Sequence, residues 1–333
     1  MIDWQIAGTV ARTVARATPA VGGEAVAAEL AAFEDTSARL VAEYAQLSGD
    51  VPPAEAIDRG EWATTSLRSM RSVMDPVAEL ADRGLGPVRV VAGVLLAAEA
   101  GALSGYLATR VLGQYEFPIL EPDAPARLLV VAPNVAAMAR TMDADEAAVL
   151  RWVTLHETTH ALQFAGVPWL RAHLAERVRG LLGALSIDRK KLMKLPDVSE
   201  IVAAIRRGDF VTLAVGAERR TELDELQALM ALIEGHAEHV MDAVGETVIP
   251  GLPALRAHMA RRRTERSGLV AIFDKLIGLE LKLRQYEQGK RFVDAVVEEA
   301  GIEGLNRAWA GPHALPRPDE LERPSAWLAR VGS

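Results

Sequence analysis

The chain has 333 residues, half of them apolar, which is enough to bury one large core or two ordinary ones and excludes a disordered chain. Its formal net charge is -8 with no long basic tract, which argues against a surface that tracks nucleic-acid phosphates. The absence of cysteine removes disulfides, thiolate zinc sites and thiol catalysis together, so any transition metal must be held by His, Asp or Glu.

The first stretch, MIDWQIAGTVARTVARATPAVGG, lacks the basic start, apolar run and cleavage site of a secretory leader, because arginines interrupt it. It reads as a helix of a cytoplasmic protein. Ala-rich amphipathic stretches predict helices over about residues 2–17, 24–47, 61–83 and 88–112, punctuated by TPAVGG, SGDVPP and DRGLGP. Val90 to Thr109 is about as long as a bilayer crossing. Glu99 at its centre costs roughly 2.5–3.5 kcal/mol in lipid, and Ala and Gly offset little of that, so a buried core helix is expected and no membrane partner. Gly101 and Gly105, four apart, would let another helix approach closely.

Between Leu112 and Ala132 the texture changes: prolines, an aromatic pair and the apolar run LLVV predict a loop followed by one strand. Next, MDADEAAVLRWVTLHETTHALQFAG predicts a helix, with Asp143 and Glu146 as a capping box and Gly166 at its end. Within it lies LHETTHALQF, Leu155 to Phe164. On a helix, His156 and His160 project from one face within reach of one ion, while Glu157, turned by about one hundred degrees, stands beside that ion as a general base for water. Trp152 and Phe164 flank the motif at helical spacing and are expected in the core.

A helix-borne pair of histidines needs a third ligand, and LIEGHAEHVMD, Leu232 to Asp242, offers it. Glu234, Glu238 and Asp242 recur every four residues, a row that drifts about forty degrees per step. His236 faces roughly opposite to Glu234, so both cannot serve one ion. Glu234 is the favoured ligand and Glu238 its main competitor. Glu238 or Asp242 is expected to accept the outer N–H of a ligand histidine. Gly235, costly inside a helix, suggests that the motif helix passes close by. For the donor to a tetrahedral oxyanion, His239 is the first choice, ahead of Arg284 and Tyr286. The basic run RAHMARRRTER reads as the solvated end of a helix.

Taken together, LHETTHALQF, LIEGHAEHVMD and LIGLELKLRQYEQGKRFVDAVVEEAG resemble a zincin-like family common in actinobacteria, labelled zinc-dependent metalloproteases or "coenzyme F420 biosynthesis-associated". The resemblance implies a mainly α, gluzincin-type zincin fold with a minimal β element before the HExxH helix, and a glutamate as third ligand. Residues 1–115 would form an amino-terminal helical part and 116–333 the metal-binding part, sharing one core. The expected activity is that of a zinc (Zn2+) metallopeptidase with His156, His160 and Glu234 as ligands and Glu157 as general base, acting on a peptide or protein. The alternative is a catalytically silent zinc protein that holds a peptide or protein partner. A link to F420 comes only with the family label.

Overall fold

The computed structural model describes residues 2–17, 24–82, 88–121, 124–184, 219–264 and 279–332, with the side chains of 76–92, 184 and 259–286 outside that description. Helices α1 (Trp4–Ala17), α3 (Arg59–Asp82) and α4 (Val88–Ala108) pack on one another. The α1–α4 contact depends on glycine: a Cβ at Gly105 would meet the Ala11 carbonyl oxygen and Val14 Cβ, each at 2.6 Å, and one at Gly101 would collide with the Ala7 carbonyl. The two glycines expected to admit a helix therefore do so, and the helix they admit is α1. No helix among the described residues is long and apolar enough to cross a membrane.

A small sheet joins this bundle to the rest. Strand β3 (Arg127–Val131) is central, parallel to β1 (Ala54–Ile57) and antiparallel to β2 (Gly113–Glu116). Because side chains alternate along a strand, Leu129 and Val131 enter the core made with α1 and α3, while Leu128 and Val130 enter a second core under α2 (Glu24–Ala45), α5 (Ala132–Met142) and α6 (Glu146–Gly166). Burial on both faces explains the unbroken apolar run LLVV. One strand was expected and three are present among the described residues. AEAI and GQYE are four residues each, poor in β-branched residues, and form because β3 offers unpaired backbone on both sides.

Helix α6 lies inside the molecule. Apolar residues and threonines are buried on most of its circumference, and the buried Thr154 and Thr159 hydroxyls donate to the carbonyls of Leu150 and Leu155 one turn back. Its N-cap is Asp145, whose carboxylate accepts from the Ala147 N–H at 3.2 Å. The capping box expected from Asp143 does not form, because Asp143 adopts a left-handed conformation (φ 49°) that terminates α5. After α7 (Leu170–Ala184) the chain continues in α8 (Arg220–Val248), α9 (Leu252–Thr264), α10 (Leu279–Asn306) and, beyond two 3-10 turns, α11 (Pro324–Val331). Helix α8 packs against α6, α2 and α10. A third core, built from α7, α8 and α10, is closed by the buried Trp309 and Trp327.

Candidate metal centre

His156 and His160 stand one turn apart on α6, and α8 brings Glu234 to them. The two Nε2 atoms are 3.2 Å apart, and Glu234 Oε2 lies 3.6 Å from His156 Nε2 and 3.3 Å from His160 Nε2. Ligand atoms at about 2.0–2.2 Å from a tetrahedral ion stand about 3.3–3.6 Å from one another. The three atoms thus have the spacing of three corners of a zinc tetrahedron. Among the described residues this is the one cluster of three or more His, Asp or Glu side chains so arranged.

The electrostatics agree with that reading. Burial opposes charge on His160, but the Glu234 carboxylate outweighs it, with help from Glu157 and Gln163, and pushes the imidazole up to about 9. For Glu234, burial works upward, yet the two histidines hold it well below the usual carboxylate range. A buried carboxylate facing two imidazole nitrogens calls for a positive charge between them, which a proton or a metal ion supplies.

Glu157 is 8% exposed and points toward β2. Its Oε2 accepts the backbone N–H of Tyr115 at 2.7 Å, which fixes one carboxylate oxygen and leaves Oε1 as the other. The strand can come this close because residue 113 is glycine: a Cβ there would stand 2.8 Å from Glu157 Cγ and 3.1 Å from Oε1. Above and below the ligands, α6 carries aromatic rings. Trp152 stacks on His156 with ring centroids 6.5 Å apart, and Phe164 forms a cluster with Phe117 at 4.6 Å and Tyr115 at 5.9 Å. Both flanking residues are half-buried and pack against the core, as their spacing predicts.

The second helix departs from expectation in four places. Asp242 does not support a ligand histidine, because Arg256 Nε at 2.7 Å and Lys290 Nζ at 3.3 Å hold its carboxylate. Glu238 is buried, but it lies outside the three-residue cluster. His239 has no nitrogen left for an oxyanion: Nδ1 pairs with Asp294 at 2.7 Å and Nε2 with the Tyr44 hydroxyl at 2.8 Å. It sits five residues, or about 140° of helix rotation, from Glu234, on a side facing α2 and α10. Gly235 does admit a close helix, but that helix is α10, whose Gly289 backbone would collide with a Cβ at 235. The side chains of Arg284 and Tyr286 lie outside the described residues.

One contact to a ligand was not foreseen. The outer nitrogen of His160, Nδ1, is 2.9 Å from Gln163 Oε1. The available signal was a polar residue three positions after the second histidine, in a motif otherwise followed by apolar residues.

A helix bearing HExxH with a glutamate supplied by a second helix is the ligand arrangement of a His2Glu metallohydrolase, with one coordination position open. The chain belongs to the zincin-like metallopeptidase family, whose model matches residues 2–328. It is also similar to a crystal structure from Chloroflexus aurantiacus described as "a putative hydrolase with a novel fold", with 31% sequence identity and a TM-score of 0.75 over 100% of this chain and 99% of that one. No curated protein matches this chain.

Proposed function

We propose that this protein is a zinc-dependent metallopeptidase, a reading carried by the convergence of His156, His160 and Glu234 at tetrahedral spacing with Glu157 alongside. Zinc bound there would act as a Lewis acid, polarising the scissile carbonyl and lowering the pKa of water. The protein's own part is positional and acid–base. Glu157, held through Oε2 by the Tyr115 N–H, keeps Oε1 available to take a proton from the attacking water and return it to the leaving amine. Burial of Glu157 limits competing hydration of that carboxylate. Trp152 on one flank and the Phe164, Phe117 and Tyr115 rings on the other favour a peptide with apolar side chains next to the scissile bond.

The test is a Glu157→Gln variant assayed against a broad peptide library. It should retain the full zinc content of the wild type and lose hydrolysis by at least about a thousandfold, because the amide keeps the shape and removes the base. Retention of hydrolysis in Glu157→Gln would remove this residue from the mechanism.

A further inference from the structure

We infer that Gln163, anchored by Ile233 and His236, is a positioning residue that selects the metal-binding tautomer of His160 and ties that imidazole to the helix carrying Glu234. The inference rests on the metal reading above and extends it to residues that touch neither metal nor substrate.

The argument begins with an amide whose two ends can be told apart. Gln163 is fully buried, and its Nε2 lies 2.9 Å from the carbonyl oxygen of Ile233. A carbonyl only accepts, so this end of the amide must be the nitrogen. The opposite end, Oε1, then faces His160 Nδ1 at 2.9 Å and can only accept from it. His160 Nδ1 therefore keeps a proton, and Nε2 is the nitrogen that faces His156 and Glu234, where a zinc ion would take the place of the second proton. A Gln163 turned end for end would hold the proton on the wrong nitrogen.

The second N–H of the amide explains the buried His236. Gln163 Nε2 is 2.9 Å from His236 Nδ1, which must accept, so His236 is neutral with its proton on Nε2. His236 is completely buried, its ring meets Trp309 edge to face at 5.4 Å, and it lies outside the ligand cluster. It is an acceptor for Gln163 and not a spare ligand. Because Ile233 immediately precedes Glu234, one side chain links the second ligand on α6 to the peptide unit beside the third ligand on α8. The other imidazole has no equivalent among the described residues, where His156 Nδ1 is buried without a hydrogen-bond partner.

The experiment uses the full-length chain with zinc as the probe. Zinc Kd is measured by chelator competition, and the His160 Nδ1–H is followed by 15N-histidine NMR of the zinc-loaded protein. Gln163→Met keeps length and removes all three hydrogen bonds, and it should weaken zinc binding by about 10–100-fold and abolish the slowly exchanging Nδ1–H signal. His236→Asn, whose Oδ1 can take over the accepting role of Nδ1, should stay within about threefold of the wild type, whereas His236→Phe should bind about tenfold more weakly. This second pair decides the question if Gln163→Met does not fold. A Gln163→Met protein with wild-type Kd and an unchanged Nδ1–H signal overturns the positioning role alone, as does equal binding by the two His236 variants. A wild type that takes up no stoichiometric zinc overturns this inference together with the metallopeptidase reading.

Discussion

Replacing Gly113 with alanine adds a single methyl group beside Glu157 and should separate catalysis from metal binding. The new Cβ would stand 2.6 Å from Val153 Cγ1, 2.8 Å from Glu157 Cγ and 3.1 Å from Glu157 Oε1. Ordinary contact between such atoms begins near 3.5 Å, so roughly 0.5–1 Å of movement is required. Val153 is buried, so the adjustment falls on β2 and on the Glu157 carboxylate. Moving β2 lengthens the Tyr115 N–H bond to Oε2, and moving the carboxylate displaces the base from the water it serves. Misplacement by about 1 Å costs on the order of a hundredfold in rate, and overpacking of this kind costs about 1–3 kcal/mol of stability. The three atoms nearest the methyl group belong to Val153 and Glu157 and to no metal-ligand residue, so zinc content should be unchanged. The assay is kcat/KM on a peptide that the wild type cleaves, with metal content measured on the same sample. Activity within about twofold of the wild type would refute the claim that β2 positions Glu157.

Other parts of the structure yield further expectations. Phe164→Ala should open the aromatic flank and reduce the preference for large apolar residues beside the cleaved bond by about tenfold, read by profiling cleavage across a peptide library; an unchanged profile would place the substrate elsewhere. At the carboxyl-terminal end, Glu320 is 5% exposed; burial pushes its pKa upward, but the two Arg330 contacts at 2.7 Å and the Arg317 N–H at 2.8 Å bring it below its ordinary value. A depressed carboxylate contributes stability above its unfolded pKa, near 4.3, and that contribution is lost as pH falls through the folded value. Glu320→Gln should therefore cost about 1–3 kcal/mol at pH 7, and the deficit should shrink below about pH 4.3; melting curves of both proteins from pH 7 to 3 check it, and a pH-independent deficit would contradict the ion-pair account. Gly105→Val should separate α1 from α4, because its Cβ already meets Ala11 and Val14 at 2.6 Å; a melting temperature equal to that of the wild type would show that the helices do not depend on this contact.

Helical periodicity made much of this molecule legible, since it places side chains without knowledge of the partner. The four amino-terminal helices and the pairing of His156 with His160 follow from spacing alone, whereas the carboxylate row offers Glu234 with Glu238 as its competitor, and the approach of α8 to α6 decides for Glu234. Charge partners were harder, because they come from elements distant in sequence. Asp242 could be assigned only once Arg256 and Lys290 were seen to reach it, and His239 only once Tyr44 and Asp294 were. The short strands had the same difficulty: AEAI and GQYE have little strand character until β3 lies between them. Gln163 was overlooked because a glutamine near the end of an amphipathic helix is ordinarily exposed, whereas here α8 covers it. The Asp143 and Asp145 pair shows a local ambiguity of another kind. Either residue suits an N-cap, and the left-handed turn that ends α5 decides for Asp145.

The most direct test of the account is the zinc content of untagged protein, measured by mass spectrometry for the wild type and for Glu234→Ala. A His2Glu site predicts near one zinc per chain in the wild type and a large loss in the variant, since two imidazoles alone hold the ion weakly. Wild-type protein that takes up no zinc when it is supplied, or a variant that retains it fully, would contradict the assignment of His156, His160 and Glu234 as a metal centre.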